Sequence, residues 1–333
     1  MTLQDYLQKF GDLRVMVIGD ILLDEYIVGD YRKLSPEHPG PIFQECSREY
    51  KLGGAANVAN NTRQLGAYTI PIGIYGSDGY FETVTGLIKK EIQLNPLLLK
   101  DFIIKDGRKT NIKTRYISTE YGQELFRSDN ENEEMTAPIS GDIRYNALNL
   151  INDMNVNCFI LSDYNKGMLR SGLSLDIIRR AKEKNIHVVS APKPENIKYF
   201  ANSTAICLNH KEAGEFTGVK YSDDIHSLET MSKIIKSQLN PDEVVITCGK
   251  RGTYVYDEGN HILVPPKVIK PVFVVIGAGD TALAALSLSI SAGAGIKDAA
   301  RIANYAAGIK VEKPGTATVS LEELLERINN HHD

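Results

Sequence analysis

Cysteine is scarce in this chain, neither charge predominates, and long uninterrupted apolar runs are missing. Each shortage removes a class of protein. Cys46, Cys158, Cys207 and Cys248 are scattered through 333 residues with no Cys-x-x-Cys pair. A disulfide framework or zinc ribbon needs closer spacing, so a reducing, cytoplasmic setting is the expectation. Lys and Arg number 38 against 42 Asp and Glu, a formal net charge of −4. A general nucleic-acid binder carries a basic excess, so no nucleic-acid partner is expected. A membrane span needs about 18 consecutive apolar residues. Only the Ala/Ser-rich segment after residue 280 comes near that, and it reads better as close helix–sheet packing. The opening residues MTLQDYLQKFGD carry acids and have no apolar centre, unlike a secretory leader. Three catalytic patterns are absent too: Gly-x-x-x-x-Gly-Lys-[Ser/Thr], Gly-x-Gly-x-x-Gly after the first apolar run, and Gly-x-Ser-x-Gly. Walker-type ATPases, Rossmann dinucleotide folds and serine hydrolases are thereby disfavoured.

An α/β rhythm is present instead. Short apolar runs at 15–19 (VMVIG), 158–162 (CFILS), 186–190 (IHVVS), 204–208 (TAICL) and 243–248 (EVVITC) read as buried parallel strands. Helical spacing over 174–185 and 227–240 alternates with them, which predicts a mostly parallel sheet covered on both faces. Two stretches break the rhythm. Residues 25–50 and 101–130 show partial alternation with Gly, Pro and aromatics, the second with a turn at EYGQ. They predict strands that stand off the core as a small sheet over a site. The expected division is an α/β core of 1–24, 51–100 and 131–333 with lid segments 25–50 and 101–130. The acidic stretch 129–134 (DNENEE) reads as a solvated loop.

The strongest chemical signal is Gly277-Ala278-Gly279-Asp280, led into by VFVVI (272–276) and followed by a small-residue helix. Glycines let a phosphate approach the backbone, and a helix start supplies N–H groups and a positive dipole end. An acid in that place repels phosphate. Asp280 is therefore either an N-cap or a general base that takes a hydroxyl proton beside the transferring phosphoryl group. Gly53-Gly54-Ala55-Ala56-Asn57 also opens a helix, and Asn57 is either a first-turn residue or a partner for a polyhydroxylated ligand. Asp20 and Asp24 follow the first strand, where open α/β sheets bind ligands. Later strand ends carry Asp163 and Lys166, Asn209 and Glu212, and Thr247, Gly249 and Gly252. Asn209 and Glu212 suit a hydrated magnesium ion or a capping box.

In their order these motifs resemble the ribokinase-like (phosphofructokinase B) sugar kinases over roughly residues 14–320. GGAAN at 53–57 and GAGD at 277–280 are similar to the family's two signatures, and Asn209-x-x-Glu212 to a third. Within the family, GDILLDEY, LSPEHPGPIF, LSDYNKGML and KPGTATVS resemble the kinases of D-glycero-D-manno-heptose 7-phosphate, here in the form without a fused nucleotidyltransferase. The resemblance implies a ribokinase-like αβα sandwich with a small β lid, often packed on the lid of a second subunit as a homodimer. It implies ATP and Mg2+ as cofactors and a sugar phosphate as the small-molecule partner. The product would be a 1,7-bisphosphate for lipopolysaccharide or surface-glycan heptose precursors.

Residue by residue, the resemblance makes Asp280 the base and the backbone of Gly277, Ala278 and Gly279 the anion hole. Asp24, Gly53, Gly54, Asn57 and Asp163 would hold the sugar. Lys113, Arg115, Arg127 and Lys166 would meet the distal phosphate. Lys193, Asn209, Glu212, Thr247, Gly249, Gly252 and Asn304 would face the nucleotide, with Glu212 reaching the metal through water. Three positions depart from the family. Val274 and Ile276 stand where Asp and Thr usually lead into GAGD, and Ala191 stands where the subgroup has Asp before Pro-Lys. The missing aspartate helps many relatives bind a monovalent cation. Two further readings therefore stay open: a sugar-phosphate binder of the same fold that transfers poorly, and a kinase for another sugar.

Overall fold

The computed structural model describes residues 1–330 apart from 96–102, 106, 121, 131–136, 153–154, 171, 223, 258–259, 269, 274 and 314–316, and apart from the side chains of 32, 150 and 152. The strands are β1 (Arg14–Gly19), β2 (Ile21–Leu34), β3 (Pro41–Gly54), β4 (Tyr68–Tyr75), β5 (Ile103–Lys105), β6 (Asn111–Ser118), β7 (Glu124–Asn130), β8 (Cys158–Ser162), β9 (His187–Ala191), β10 (Ala205–Asn209), β11 (Glu243–Thr247), β12 (Thr253–Asp257) and β13 (Asn260–Val264). The helices are α1 (Leu3–Gln8), α2 (Ala55–Gln64), α3 (Phe81–Leu87), α4 (Gly141–Asn152), α5 (Leu173–Glu183), α6 (His210–Thr217), α7 (Ile225–Leu239), α8 (Ala278–Ser291), α9 (Ile296–Val311) and α10 (Leu321–Asn330).

Among the described residues these strands form two sheets. The larger has nine strands in the order β13-β12-β11-β10-β9-β8-β1-β4-β5, and the smaller runs β3-β2-β6-β7. The large sheet is parallel from β11 to β5, with β12 and β13 added antiparallel at one edge. Within it, β1 reads Val15-Met16-Val17-Ile18 through its middle, an unbroken apolar run as a strand covered on both faces requires. Two groups of helices cover it. One group, α2, α8, α9 and α10, forms a continuous chain of packed pairs, and α5, α6 and α7 pack on β9, β10 and β11 elsewhere. Thr281 to Ile290 of α8 are all buried. Their small side chains let α8 lie close against α2, α9 and the sheet, so the Ala/Ser richness serves packing.

The strand order reverses beside β1: β4 follows on one side and β8 on the other. The carboxyl ends of β1 and β8 therefore bound a crevice of the kind that binds ligands in open α/β sheets. The chain leaves the core there. After Asp20 it runs out along β2, returns along β3 to Gly54, and starts α2 with the Ala55 amide bonded to the Asp20 carbonyl at 2.9 Å. The lid sheet is thus rooted at the crevice.

Several expectations shift in detail. The lid strands begin at Ile21 and end at Gly54, four residues outside the expected 25–50 on either side. Ile103–Lys105, expected in the lid, pairs with β4 at the edge of the large sheet. Its Ile103 is buried in the core, which explains the preference. In the acidic stretch, 129–130 close β7, and 131–134 lie outside the described residues. The apolar run 272–276 leads into α8. Val272, Phe273 and Val275 are exposed, and Val274 lies outside the described residues.

Gly19 marks how tightly β1 and β8 meet. A Cβ on it would stand 1.9 Å from the Ser162 carbonyl oxygen, which is backbone and cannot swing away. Gly19→Ala is expected to lower stability by about 3 kcal/mol through overpacking. Urea unfolding followed by circular dichroism would show it as a lowered midpoint at unchanged slope. An unchanged midpoint would contradict the close approach.

Candidate active site

Asp280 sits in the first turn of α8, one residue after Gly279. Its Oδ2 accepts from Asn57 Nδ2 at 2.6 Å, and its Oδ1 accepts from the Tyr164 hydroxyl at 2.6 Å. The helix cap is Gly277, in the left-handed region at φ 77, and no side chain caps α8. The capping reading of Asp280 is therefore set aside, and its carboxylate points at two donors from other elements. Burial raises its pKa, while the bonds from Tyr164 and Asn57 and the charges of Lys193 and Lys113 lower it. The first-turn amides of a helix have no carbonyl one turn back. The Ala278 amide reaches the Val275 carbonyl at 3.3 Å; among the described residues no loop carbonyl is bonded to the amides of Gly279 and Asp280, which are thus suited to an anion.

The arrangement is braced from behind. The Asn61 amide donates to the Asn57 carbonyl at 2.8 Å and contacts Asn57 Oδ1 at 3.3 Å. The Thr281 hydroxyl donates to Asn61 Oδ1 at 2.7 Å. Tyr164 is placed by a separate device. Asp20, 1% exposed, accepts backbone N–H bonds from Tyr164, Lys166 and Met168 at 2.9–3.0 Å. Burial and the neighbouring Asp163 raise the Asp20 pKa. Asp20 thus shapes the loop after β8. Asp163 does the same for the next loop, accepting from the Lys193 amide and from Asn196 Nδ2, each at 3.0 Å. Asp163 was expected to hold substrate; the structure gives its carboxylate to that loop.

A cavity of about 200 Å3 opens beside Asp280 and is lined by Gly279, Lys193, Asn209, Glu212 and Thr247 together with Ala191 and apolar residues of α8. Asn209 and Glu212 form a reciprocal capping box at the start of α6: Asn209 Oδ1 accepts from the Glu212 amide, and Glu212 Oε2 accepts from the Asn209 amide, both at 2.9 Å. Glu212 Oε1 meets Lys193 Nζ at 2.6 Å. Gly252 lies at φ 94, where a Cβ would strike the Val264 carbonyl at 2.1 Å, and Gly249 at φ 55 opens the same turn. Both keep the loop after Thr247 tight. Asn304, expected at the nucleotide, bonds Thr253 and the carbonyls of Val264 and Pro265 instead, so its amide is committed to holding β12 and β13.

The lid supplies the other wall. Asp24 pairs in register with Lys113 of β6, and Arg115 with Arg127 of β7. Residues two apart on a strand share a face, so these four lie together. Burial pushes the Asp24 carboxyl up to about 6, against the pull of Arg115, Lys113 and Arg127 and with the repulsion of Asp280. A Cβ on Gly53 would stand 3.2 Å from Asp24 Oδ2. Lys113 and Lys193 lie over the Tyr164 ring at 5.8 and 5.6 Å. Arg115 is ion-paired with Glu124 and Arg127 with Asp129. Lys166 is buried, and its amide is fixed by Asp20.

Among the described residues no group of three or more His, Cys, Asp and Glu side chains is placed to hold a metal ion. Magnesium keeps most of its waters and needs only one or two carboxylates with substrate phosphates. With both oxygens of Glu212 already bonded, its fit to such an ion is through water. Tyr164, Asn61 and Thr281 are site residues that the sequence reading missed. Their signals were available: Tyr164 lies in the motif after β8, Asn61 one helical turn beyond Asn57, and Thr281 beside Asp280.

Fold and site together define a carbohydrate kinase. The chain belongs to the pfkB family of carbohydrate kinases, whose pattern matches residues 12–324. It is 35% identical over 316 residues to the bifunctional protein HldE of Sulfurimonas denitrificans, covering 94% of this chain and 64% of that protein. It is 33% identical over 331 residues to the bifunctional protein HldE of Caulobacter sp. (strain K31), covering 99% and 66%. The chain therefore spans 64–66% of the length of these two relatives. Among solved structures, Escherichia coli phosphofructokinase-2 in complex with potassium matches at TM-score 0.75 and 16% identity, covering 96% of this chain and 98% of that one. Arabidopsis thaliana ribokinase complexed with ribose and ATP matches at TM-score 0.72 and 16% identity, covering 95% and 98%. These two establish the ribokinase-like fold.

The Tyr164 bond favours the charged form of Asp280, so its loss must raise the carboxyl pKa. If Asp280 serves as the base, it has to be deprotonated to act, so on acidification activity should be lost at a higher pH than in wild type. A bond to a charged group is worth about 1.5–3 kcal/mol, which is about one to two pH units. Tyr164→Phe is expected to move the acidic limb of the kcat/KM profile upward by about one unit. An unmoved limb would remove Tyr164 from the site.

Proposed function

We propose that the chain transfers the γ-phosphoryl group of ATP to the anomeric hydroxyl of a heptose 7-phosphate, giving the 1,7-bisphosphate. The observation that carries this reading is Asp280, held by Asn57 and Tyr164 at an uncapped helix start between the cavity and the lid cations. The hydroxyl proton passes to an Asp280 oxygen as the sugar oxygen attacks the γ-phosphorus. The bond to the β-phosphate oxygen breaks, and its electrons leave with ADP. The amides of Gly279 and Asp280 and the dipole of α8 receive the charge on the phosphoryl oxygens. Bound magnesium would neutralise charge on the β- and γ-phosphates, with Glu212 reaching it through water. Lys193, one bond from Glu212, faces the same cavity.

The lid selects the acceptor in this reading. Asp24 holds sugar hydroxyls, and the face bearing Lys113, Arg115 and Arg127 meets the distal phosphate. The name shared by the relatives supports a heptose. The opposite face of the lid carries Tyr31, Phe43, Tyr116 and Phe126 packed ring on ring, with Tyr31 45% and Phe126 42% exposed. Such a patch is suited to a second lid, and a homodimer joined there is part of the proposal. Among the described residues no helix is long and apolar enough to cross a membrane. The cytoplasm, where ATP is made available, is the proposed setting.

Phosphorus NMR of the protein with magnesium-ATP and the heptose 7-phosphate is expected to show a new anomeric phosphate signal, abolished by Asp280→Asn. Binding of the sugar without transfer would instead favour the non-catalytic reading that Val274, Ile276 and Ala191 raised. Lys113→Ala is expected to raise KM for the phosphorylated sugar by about tenfold or more, the worth of one charge-assisted bond. The same change should leave KM for the unphosphorylated sugar nearly as it was. Equal effects on the two sugars would remove the lid from phosphate recognition.

A further inference from the structure

Asn111, Lys113 and Arg115 are spaced by two along β6, so they share the face that carries Asp24 across the register. Lys113 ties that face to the site, because its ammonium lies over the ring of Tyr164, which bonds Asp280. Asn111 is the first residue of β6 and pairs with Leu22, two residues before Asp24. Its other neighbour on the strand, Ile112, points the opposite way into the main core. Asn111 is 6% exposed, and its Oδ1 is enclosed by protein with no hydrogen-bond partner among the described residues. The backbone around it is firmly held. The amide and hydroxyl of Thr110 both donate to Asp78 at 2.7 Å, and the Gly76 amide donates to Thr110 Oγ1. Arg115 repeats the pattern further out: Glu124 holds its Nη1 at 2.7 Å, while its Nε is enclosed and unbonded. Four residues of strand, about 13 Å, separate the two. Buried polar groups in folded proteins nearly always find partners, and one left alone costs stability. Here an amide and a guanidinium nitrogen both lack one on the face that meets the site.

We propose that Asn111 is a specificity-determining residue for the acceptor: its amide bonds a ring hydroxyl of the sugar at the foot of the lid, while Arg115 meets the anionic end of the same molecule. The inference rests on the kinase reading above and deepens it, since the lid then reads a hydroxyl of the acceptor as well as its phosphate. A hydroxyl both donates and accepts, so it satisfies the amide through either of its polar atoms. Leu22 beside Asn111 offers nothing in its place. A sugar lacking that hydroxyl would leave the amide unpaired, and sites built to bond a hydroxyl reject such analogues strongly.

The test compares wild type with Asn111→Leu, which keeps the bulk without the amide, on heptose 7-phosphate and on its 2-deoxy, 3-deoxy and 4-deoxy analogues. Asn111→Leu is expected to lose on the order of tenfold in kcat/KM on the full sugar. Wild type is expected to lose a similar factor on one of the deoxy sugars, and on that sugar Asn111→Leu should lose nothing further. Such coupling between one side chain and one hydroxyl is what a direct bond gives and a structural asparagine does not. Equal losses on all four sugars, or full kcat/KM for Asn111→Leu on the full sugar, overturns the proposal. If Asn111→Leu fails to fold, Asn111→Ala is read in the same comparison with the same outcomes. If wild type phosphorylates none of these sugars, the kinase reading fails separately. Calorimetry of the sugar phosphates without ATP then decides for Asn111. The same pattern is expected in Kd, and equal Kd values for wild type and variant, or no binding by wild type, overturn it.

Discussion

The arrangement depends on keeping one carboxylate charged where protein surrounds it. Asp280 is enclosed enough for burial to raise its pKa, and two neutral donors on separate elements act the other way. Asn57 comes from α2, which starts where the lid returns to the core. Tyr164 comes from the loop after β8. Those elements meet because the sheet reverses its order beside β1, and Asp20 at the end of β1 fastens the β8 loop by three backbone bonds. Burying a carboxylate costs far less when it accepts hydrogen bonds than when it does not. Here the groups that lower that cost also aim the carboxylate, so its placing and the easing of its burial have the same origin.

Polarity around this acid is divided by element. The start of α8 offers amides without side-chain caps, Lys193 borders it, and the lid brings Lys113, Arg115 and Arg127. The net charge of the whole chain is −4, so this local excess of cations is a property of the site. Polyanions such as a nucleotide and a sugar phosphate would bring the opposite charge to it. Most of the cations are also held by acids: Lys193 by Glu212, Arg115 by Glu124 and Arg127 by Asp129. Those pairs can open towards an incoming phosphate at modest cost where they face solvent, because exposed pairs are worth little in water.

Much of the fold was legible because parallel strands buried on both faces are continuous apolar runs. CFILS fell on β8 residue for residue, and the runs before β9 and β10 fell within one residue. Composition alone would not have placed VFVVI, the lead-in to α8: it is as apolar as a core strand, but it follows a sheet whose edge β13 already closes, and Val272, Phe273 and Val275 lie exposed. The lid was legible as alternation but not in extent, since Leu22, Leu23 and Leu52 belong to its buried root and read as core. Among the site residues, Asp280 and Asn57 stood beside glycines that announce a helix start. Asn304 carried no sign that its amide would be used by β12 and β13.

Asn209 and Glu212 show why two rival readings of a motif can both hold. The capping box is real, with both reciprocal bonds formed, and the same two side chains line the cavity beside Asp280. A capped Glu212 cannot swing, so the oxygen it shares with Lys193 has a fixed place. Fixed placement is what a hydrated cation and a triphosphate require, because positioning supplies much of the catalysis in phosphoryl transfer. The cap is thus the means by which the strand end after β10 presents a charged pair at a constant distance from the base. Stability at the start of α6 and order in the cavity rest on one set of hydrogen bonds. A change that weakened the cap would be felt in the cavity before it was felt in the fold.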